Sequence, residues 1–275
     1  MTGTVRPDII IKAKPACKPS AAHSGRKYYF YIKILLILSR FLIKTKRPKG
    51  RDLTMASVLD GKKLVAIGDS LIHGNKLGPD ATWVNKLAAR HGMTCLNYGI
   101  NGNPVAKTDS EPTHRHPPMC VRYADMENGA DYVVVLGGAN DRRLDVPLGD
   151  PALRADRSYR DITTFYGALN TLIAGLTEKY PKAKLLLLTN YDRWASKNKL
   201  GLCDVAYVDA MIEVAALWAI PCFDNYRASG ISFRNPAQLP WIDEGLVLGI
   251  GENHHFSAEA YDWLLNKYEK LLEAL

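Results

Sequence analysis

The sequence is poor in cysteine, and its five cysteines among 275 residues show no metal-binding pattern. No two of them stand in the Cys-x-x-Cys spacing that is typical of zinc sites, and an odd number does not suit a disulfide-stapled scaffold. A reducing compartment such as the cytoplasm is the simplest setting for this cysteine usage. We therefore expect neither a zinc site nor a disulfide framework.

An excess of basic over acidic residues is also missing outside the N-terminal region, although the net charge of the whole chain is +8. Residues 1–54 contain thirteen Lys and Arg against only Asp8 and Asp52, a net of +11, so the remaining residues carry −3. Proteins that bind nucleic-acid phosphates present a clustered basic surface, and the body of this chain does not supply one. No nucleic-acid partner is predicted.

An uninterrupted apolar run of membrane-spanning length is missing as well. The most apolar stretch, Tyr28–Ile43, is interrupted by Lys33 and Arg40, whereas a spanning helix needs about 20 mostly apolar residues. Three interpretations are open for this basic leader, residues 1–54: a membrane anchor, an amphipathic surface segment, or an extension that the fold does not need. We favour the third, with cytoplasmic localisation, because Met55 directly precedes the first predicted strand; anchoring or export through the apolar stretch is the alternative.

From Met55 onward the sequence alternates short apolar runs with amphipathic segments. The predicted strands are Leu64–Ile67, Thr94–Tyr98, Asp131–Leu136, Lys184–Thr189 and Cys222–Asp224. The predicted helices are Thr82–His91, Thr163–Tyr180, Val205–Ala219 and Ser257–Leu275. This alternation predicts an α/β fold, a three-layer α/β/α sandwich around a central parallel sheet of about five strands, in one domain over residues 55–275. Open sheets of this kind bind ligands beyond the carboxyl ends of their strands.

Four short polar motifs stand at such positions. Gly-Asp-Ser-Leu contains Ser70, Gly-Ile-Asn-Gly ends at Gly102, Gly-Ala-Asn-Asp contains Asn140, and Glu-Asn-His-His ends at His255, just before the last helix. A serine hydroxyl needs a neighbouring base to attack an ester, and amide donors stabilise the oxyanion that then forms. Each motif alone also fits a turn, a helix cap or a surface histidine. Together they offer a nucleophile, two oxyanion donors and a base.

The ordered set resembles the SGNH superfamily of GDSL-type lipases and esterases across the body of the chain, including the His-Phe-Ser-Ala-Glu-Ala-Tyr run at 255–261. The resemblance implies a flavodoxin-like fold, Ser70 as nucleophile, His255 as base, and an oxyanion hole built from Ser70, Gly102 and Asn140. It implies a serine esterase that works through an acyl-enzyme without metal or cofactor. The implied substrates are small-molecule or carbohydrate esters, with O-acetyl groups on a carbohydrate as one case.

One position departs from the pattern of that family. The family usually has Asp-x-x-His, and Glu252 stands where the aspartate would be. A glutamate, one methylene longer, can still orient the imidazole, but Asp243, another acid or no acid at all are open alternatives. His254 is a rival for the base, although the spacing to the last helix favours His255. The substitution also supports a different function, a catalytically silent carbohydrate-binding domain on the same fold.

Residues near the motifs bear on the substrate. Arg142, just beyond the third motif, and His114, in the loop 101–118, are predicted substrate contacts; Arg143 beside Arg142 also suits an anionic substrate group. A solvated loop pair is the alternative for the arginines. The loop has no long apolar run, which favours a polar substrate over a long lipid chain. A nucleotide-binding protein fits less well, because Gly68–Gly74 lacks the glycine patterns that hold phosphates.

Overall fold

The computed structural model of the protein describes residues 56–109, 116–193, 196–242 and 255–275. The compact unit that contains them extends over residues 57–275. The leader, residues 1–54, lies outside the described residues, so its interpretation as an idle extension and the domain bounds stay predictions. Within the described ranges, no helix combines the length and the hydropathy that crossing a bilayer requires.

A five-stranded parallel sheet forms the centre of the unit, in the order β2-β1-β3-β4-β5. The strands are β1 Lys63–Gly68, β2 Thr94–Gly99, β3 Tyr132–Leu136, β4 Lys184–Leu188 and β5 Cys222–Phe223. From β1 the chain moves to one side to form β2 and then returns to the other side to form β3. The strand order therefore reverses next to β1, and such a reversal opens a crevice at the carboxyl ends of the strands.

Thirteen strand and helix segments alternate along the described residues, together with short 3₁₀ turns. The α-helices are α1 Ser70–His73, α2 Trp83–His91, α3 Met119–Arg122, α4 Ala139–Arg143, α5 Phe165–Lys179, α6 Asp204–Leu217, α7 Asn225–Ala228 and α8 Ala258–Glu273. Three of the four long helices begin at a side-chain cap: Thr82, Thr164 and Ser257 each accept a hydrogen bond from the backbone N–H three residues later. Such caps satisfy amides that the first helical turn leaves without partners.

Alternate residues of the central strands face two separate apolar layers. Leu64 and Ala66 of β1 belong to the core that packs against α2 and α8, whereas Val65 and Ile67 belong to the core that packs against α5 and α6. All five residues of β3 are buried, as expected for a strand covered on both faces. The three-layer α/β/α sandwich predicted from the alternation is confirmed.

The predicted strands and long helices are all present, with bounds that differ by no more than about two residues. The four short helices α1, α3, α4 and α7 were not predicted. Three of them, α1, α4 and α7, begin within three residues of the end of a strand. A helix of one turn is too short to give the 3.6-residue hydrophobic period that sequence analysis relies on.

The cysteines of the described region are of two kinds. Cys95, Cys120 and Cys222 are free thiols, and burial raises the pKa of each, to about 11 for Cys95 and about 12 for the other two. Cys203 is in a disulfide bond. One such bond does not make the multiple-disulfide framework that the sequence argued against, and the cytoplasmic localisation stays a prediction.

Candidate active site

Ser70 lies at the carboxyl end of the central strand β1, as the first residue of α1. Gly68, which ends β1, has no room for a side chain, because a Cβ there would lie 2.4 Å from Ile72 Cγ1 and 2.9 Å from the Leu136 carbonyl oxygen. Asp69 caps α1 by accepting a hydrogen bond of 3.0 Å from the Leu71 amide. This tight strand-to-helix connection leaves Ser70 only 8% exposed, at the edge of the sheet.

His255 meets this serine from the opposite end of the sequence. Its Nε2 lies 3.0 Å from Ser70 Oγ, although 185 positions separate the two residues. The next residue, Phe256, is buried and pairs with Ile242 in an isolated β-bridge. On α8, the Tyr261 hydroxyl donates a 3.0 Å hydrogen bond to the Leu71 carbonyl. The segment that carries the imidazole is thus bound directly to the short helix that carries the hydroxyl.

Asn140 lies on α4, next to the serine, and is 8% exposed. Its Nδ2 donates two long hydrogen bonds, 3.3 Å to Asp69 Oδ2 and 3.4 Å to the Asn103 carbonyl. Its Oδ1 accepts a 3.1 Å bond from Arg143 Nε. Because the arginine can only donate, it determines which end of the amide faces Asp69, the residue before Ser70. Nδ2 is therefore directed toward the nucleophile side of the crevice.

Gly102 lies in the loop after β2 and has a φ of 72°, in the left-handed region that favours glycine. Its carbonyl accepts a 3.4 Å bond from Arg143 Nη2, so one arginine contacts both predicted oxyanion residues. The following stretch of this loop is held by Asp141, whose carboxylate accepts bonds of 3.0 and 2.9 Å from the amides of Val105 and Ala106. Burial raises the pKa of Asp141 to about 6, against the opposing effect of these two amide bonds.

A second buried charge joins three parts of the site. Arg122 donates hydrogen bonds of 2.9 Å to the Gly68 carbonyl, 2.7 Å to the Tyr98 carbonyl and 2.8 Å to Asn103 Oδ1. It thereby connects the ends of β1 and β2 to the loop that carries Gly102. Burial lowers its pKa to about 10, partly offset by the nearby Asp69 charge.

The carboxyl of Asp69 is almost fully buried, and this burial raises its pKa. The Leu71 amide bond and the positive charges of Arg193, Arg122 and Arg143 oppose that rise. Several positive charges therefore act on the atoms beside the nucleophile.

Sequence reasoning missed Arg122 and Asp141 as supports of the site. Asp141 is adjacent to Asn140 in the third motif, and that adjacency was the available signal. Arg122 had none, because its role depends on backbone carbonyls from two strands distant in the chain.

Four residues considered from the sequence lie outside the described residues: His114, Asp243, Glu252 and His254. Their roles stay predictions. Arg142 is described, and its Nε lies 3.2 Å from Asp204 Oδ1 while its Nη1 donates 2.8 Å to the Ser196 carbonyl. The side chain is buried in this ion pair, so a contact between Arg142 and substrate also stays a prediction.

Among the residues that the structure describes, no three His, Cys, Asp or Glu side chains lie together in a way that could hold a metal ion. The expectation that no cofactor is required stays a prediction.

The sequence profile of the GDSL-like lipase/acylhydrolase family matches residues 66–263, a range that contains Ser70, Gly102, Asn140 and His255. The chain belongs to this family. It is therefore a hydrolase of ester bonds, as the resemblance implied. No match was found among curated proteins.

Solved structures similar to this GDSL-like hydrolase agree with its fold. One is 29% identical, with a TM-score of 0.68 over 79% of this chain and 98% of the other. A protein from Lactobacillus plantarum is 26% identical, with a TM-score of 0.65 over 78% and 98%. A putative GDSL-like lipase from Bacteroides ovatus is 15% identical, with a TM-score of 0.54 over 78% and 99%, and this likeness concerns the fold alone.

Proposed function

We propose that this ester hydrolase is a serine esterase that cleaves a carboxylic ester through an acyl-enzyme, with Ser70 as the nucleophile and His255 as the base. The observation that carries the proposal is the 3.0 Å separation of His255 Nε2 and Ser70 Oγ. This distance is within the range in which an imidazole can remove a hydroxyl proton directly.

The reaction follows from that contact. His255 Nε2 takes the Ser70 proton while Oγ forms a bond to the ester carbonyl carbon. The tetrahedral intermediate collapses, the bond to the alcohol oxygen breaks, and His255 returns the proton to the departing alcohol. A water molecule then gives a proton to His255 and attacks the acyl carbon, and the second collapse releases the acid and returns the proton to Ser70.

The oxyanion of each tetrahedral intermediate is bound by the backbone N–H groups of Ser70 and Gly102 and by Asn140 Nδ2. The hydrogen bonds from Asn140 Nδ2 to Asp69 and Asn103 are long, at 3.3 and 3.4 Å, and therefore weak. Little hydrogen-bond energy is lost when Nδ2 moves from these acceptors to the oxyanion. Removing one donor of this kind typically costs about 2.7–4 kcal/mol of transition-state stabilisation. We expect Glu252 to orient the imidazole, and an inactive Glu252→Gln variant with an unchanged unfolding temperature would support that role.

The proposed substrates are small-molecule or carbohydrate esters, including O-acetyl groups on a carbohydrate. The second candidate, a catalytically silent carbohydrate-binding domain, is favoured only by the glutamate at position 252. A binding domain has no need of a hydroxyl and an imidazole at hydrogen-bond distance beside a directed amide donor. The geometry around Ser70 therefore supports the enzyme.

A fluorophosphonate probe tests the assignment without knowledge of the substrate, because an activated serine displaces its fluoride and forms a stable P–O bond. We expect mass spectrometry to map the label to Ser70 and to find none in Ser70→Ala. Ser158→Ala, which removes an exposed hydroxyl from a loop, is the control and should label like the unmodified protein. Labelling of Ser70→Ala at the original rate would overturn the assignment of the nucleophile.

A further inference from the structure

Four arginines lie at the carboxyl end of the sheet, and two of them are held by polar groups of the protein. Arg142 is paired with Asp204. Arg122 donates hydrogen bonds to three oxygen atoms. Among the described residues, neither Arg143 nor Arg193 has a carboxylate within ion-pair distance. We refer to these two as the arginine pair.

Arg143 is exposed, yet the direction of its side chain is defined. Two of its nitrogens contact Asn140 Oδ1 and the Gly102 carbonyl. Both contacts are to uncharged oxygens, so they hold the guanidinium in place without forming an ion pair. The guanidinium of Arg143 is thus hydrogen-bonded to Asn140 and Gly102, the residues of two proposed oxyanion donors.

Arg193 approaches the same place from β4, five positions beyond the last residue of that strand. Burial lowers its pKa, the negative charges of Asp204 and Asp69 oppose that effect, and the positive charges of Arg142 and Arg143 add to it, so Arg193 lies near all four. Its Nε is shielded from solvent and has no hydrogen-bond partner among the described residues. A buried donor without a partner is unfavourable, so an incoming acceptor at this position would be bound favourably.

We propose that the arginine pair recognises an anionic group on the substrate, so that the enzyme prefers esters carrying a carboxylate or a phosphate close to the scissile bond. The inference rests on the proposed serine esterase function and specifies its substrate class. Guanidinium groups present their N–H donors in a planar fork that matches such oxyanions and retain their charge near neutral pH. A neutral ester of the same shape offers neither guanidinium group a charged acceptor.

The test compares two pairs of esters that differ by one negative charge. p-Nitrophenyl hemisuccinate against its methyl ester places the charge on the acyl side, and 4-acetoxybenzoate against its methyl ester places it on the alcohol side. After correction for uncatalysed hydrolysis, we expect kcat/KM for the charged member to exceed that for the neutral member at least about tenfold in one pair, since a hydrogen bond to a charged group contributes about 1.5–3 kcal/mol. The pair that shows the preference identifies the side on which the charge is held.

Variants connect the preference to the two residues. Arg143→Gln, at an exposed position, should lower the charged-to-neutral ratio about tenfold, and Arg193→Lys, which keeps a positive charge at the half-buried position, should lower it less. The control is Lys182→Gln, which removes the same charge from an exposed site at the opposite edge of the sheet, just before β4. It should leave the ratio unchanged. A ratio near one in both ester pairs, or a preference that survives Arg143→Gln combined with Arg193→Lys, would overturn the proposal.

Binding to Ser70→Ala separates this inference from the proposed reaction. We expect calorimetry to detect the preferred charged ester with this variant, and at least about tenfold weaker binding once Arg143→Gln is added. Equal binding of the charged and neutral esters would refute the anion site even if hydrolysis depends on Ser70. Charge-selective binding without any Ser70-dependent hydrolysis would instead contradict the serine mechanism and support the anion site.

Discussion

The two sides of the reaction centre are built in different ways. The nucleophile is held by residues that follow one another in the chain: β1 ends at Gly68, Asp69 caps α1, and Ser70 is the first helical residue. The base is held by residues from several distant elements, through the β-bridge between Phe256 and Ile242 and the hydrogen bond from Tyr261 to Leu71. The position of the nucleophile is therefore set as soon as β1 and α1 form. The position of the base is set only when the helical layer packs against the sheet.

Ser70→Ala gives the largest expected effect and tests the contiguous side. Loss of a catalytic serine in a serine hydrolase lowers kcat by about 10⁶-fold in the best-known case, and we expect at least about a 10⁴-fold fall in kcat for p-nitrophenyl acetate. Because the β1–α1 connection depends on the Asp69 cap and not on the hydroxyl, the unfolding temperature should hardly change. If Ser70→Ala kept the kcat of the unmodified protein, the contact between Ser70 and His255 would have no catalytic role.

Phe256→Ala tests the distant side through stability. The ring is 3% exposed and packs edge-on against Tyr191, with centroids 4.8 Å apart. Loss of a buried phenylalanine typically lowers the free energy of unfolding by about 3–5 kcal/mol, measured by urea denaturation. Leu200→Ala, at a site 51% exposed, is the control. If Phe256→Ala were as stable as the control, the base would not depend on this core.

Tyr261→Phe examines the direct connection between the two sides. It removes the hydroxyl that donates to the Leu71 carbonyl and leaves the ring in place. We expect a loss of about 1 kcal/mol in stability and a several-fold fall in kcat at nearly unchanged KM, since the distance between hydroxyl and imidazole would be less well defined. Tyr98→Phe removes a hydroxyl that accepts from the Glu127 amide and should leave kcat unchanged. Equal kcat in both variants would assign Tyr261 to stability alone.

The smallest expected effect concerns pH and Asp141. Its pKa is raised from 3.8 to about 6 in the folded protein, so the folded state binds this proton more tightly than the unfolded chain does. The contribution of Asp141 to stability is therefore greatest below about pH 4 and decreases as the pH rises to about 6. Urea denaturation across this range should show the stability of the unmodified protein falling relative to that of Asp141→Asn as the pH rises. An identical dependence in both would show that the carboxyl is not protonated in this range.

Much of the fold could be predicted because its signals are local. The run Tyr132–Leu136 contains three consecutive valines, which favour a strand buried on both faces, and the structure has β3 there. The period of Thr163–Tyr180 likewise predicts a helix with one apolar face, and the structure has α5 at Phe165–Lys179. The supports of the site were not predictable in this way. In the sequence nothing distinguishes Arg122 from a surface arginine. Its role follows from hydrogen bonds to the carbonyl groups of Gly68 and Tyr98, which only the fold brings to it.

The sequence by itself determined the order of strands and helices, the family and the candidate residues Ser70 and His255, because short-range periodicity and compact motifs record these directly. Tertiary structure alone decided that Arg142 is buried in an ion pair while Arg143 is exposed beside Asn140. Two adjacent arginines have the same intrinsic chemistry. Packing distinguishes them, since Asp204, distant in the chain, compensates the charge of Arg142 when that side chain is buried.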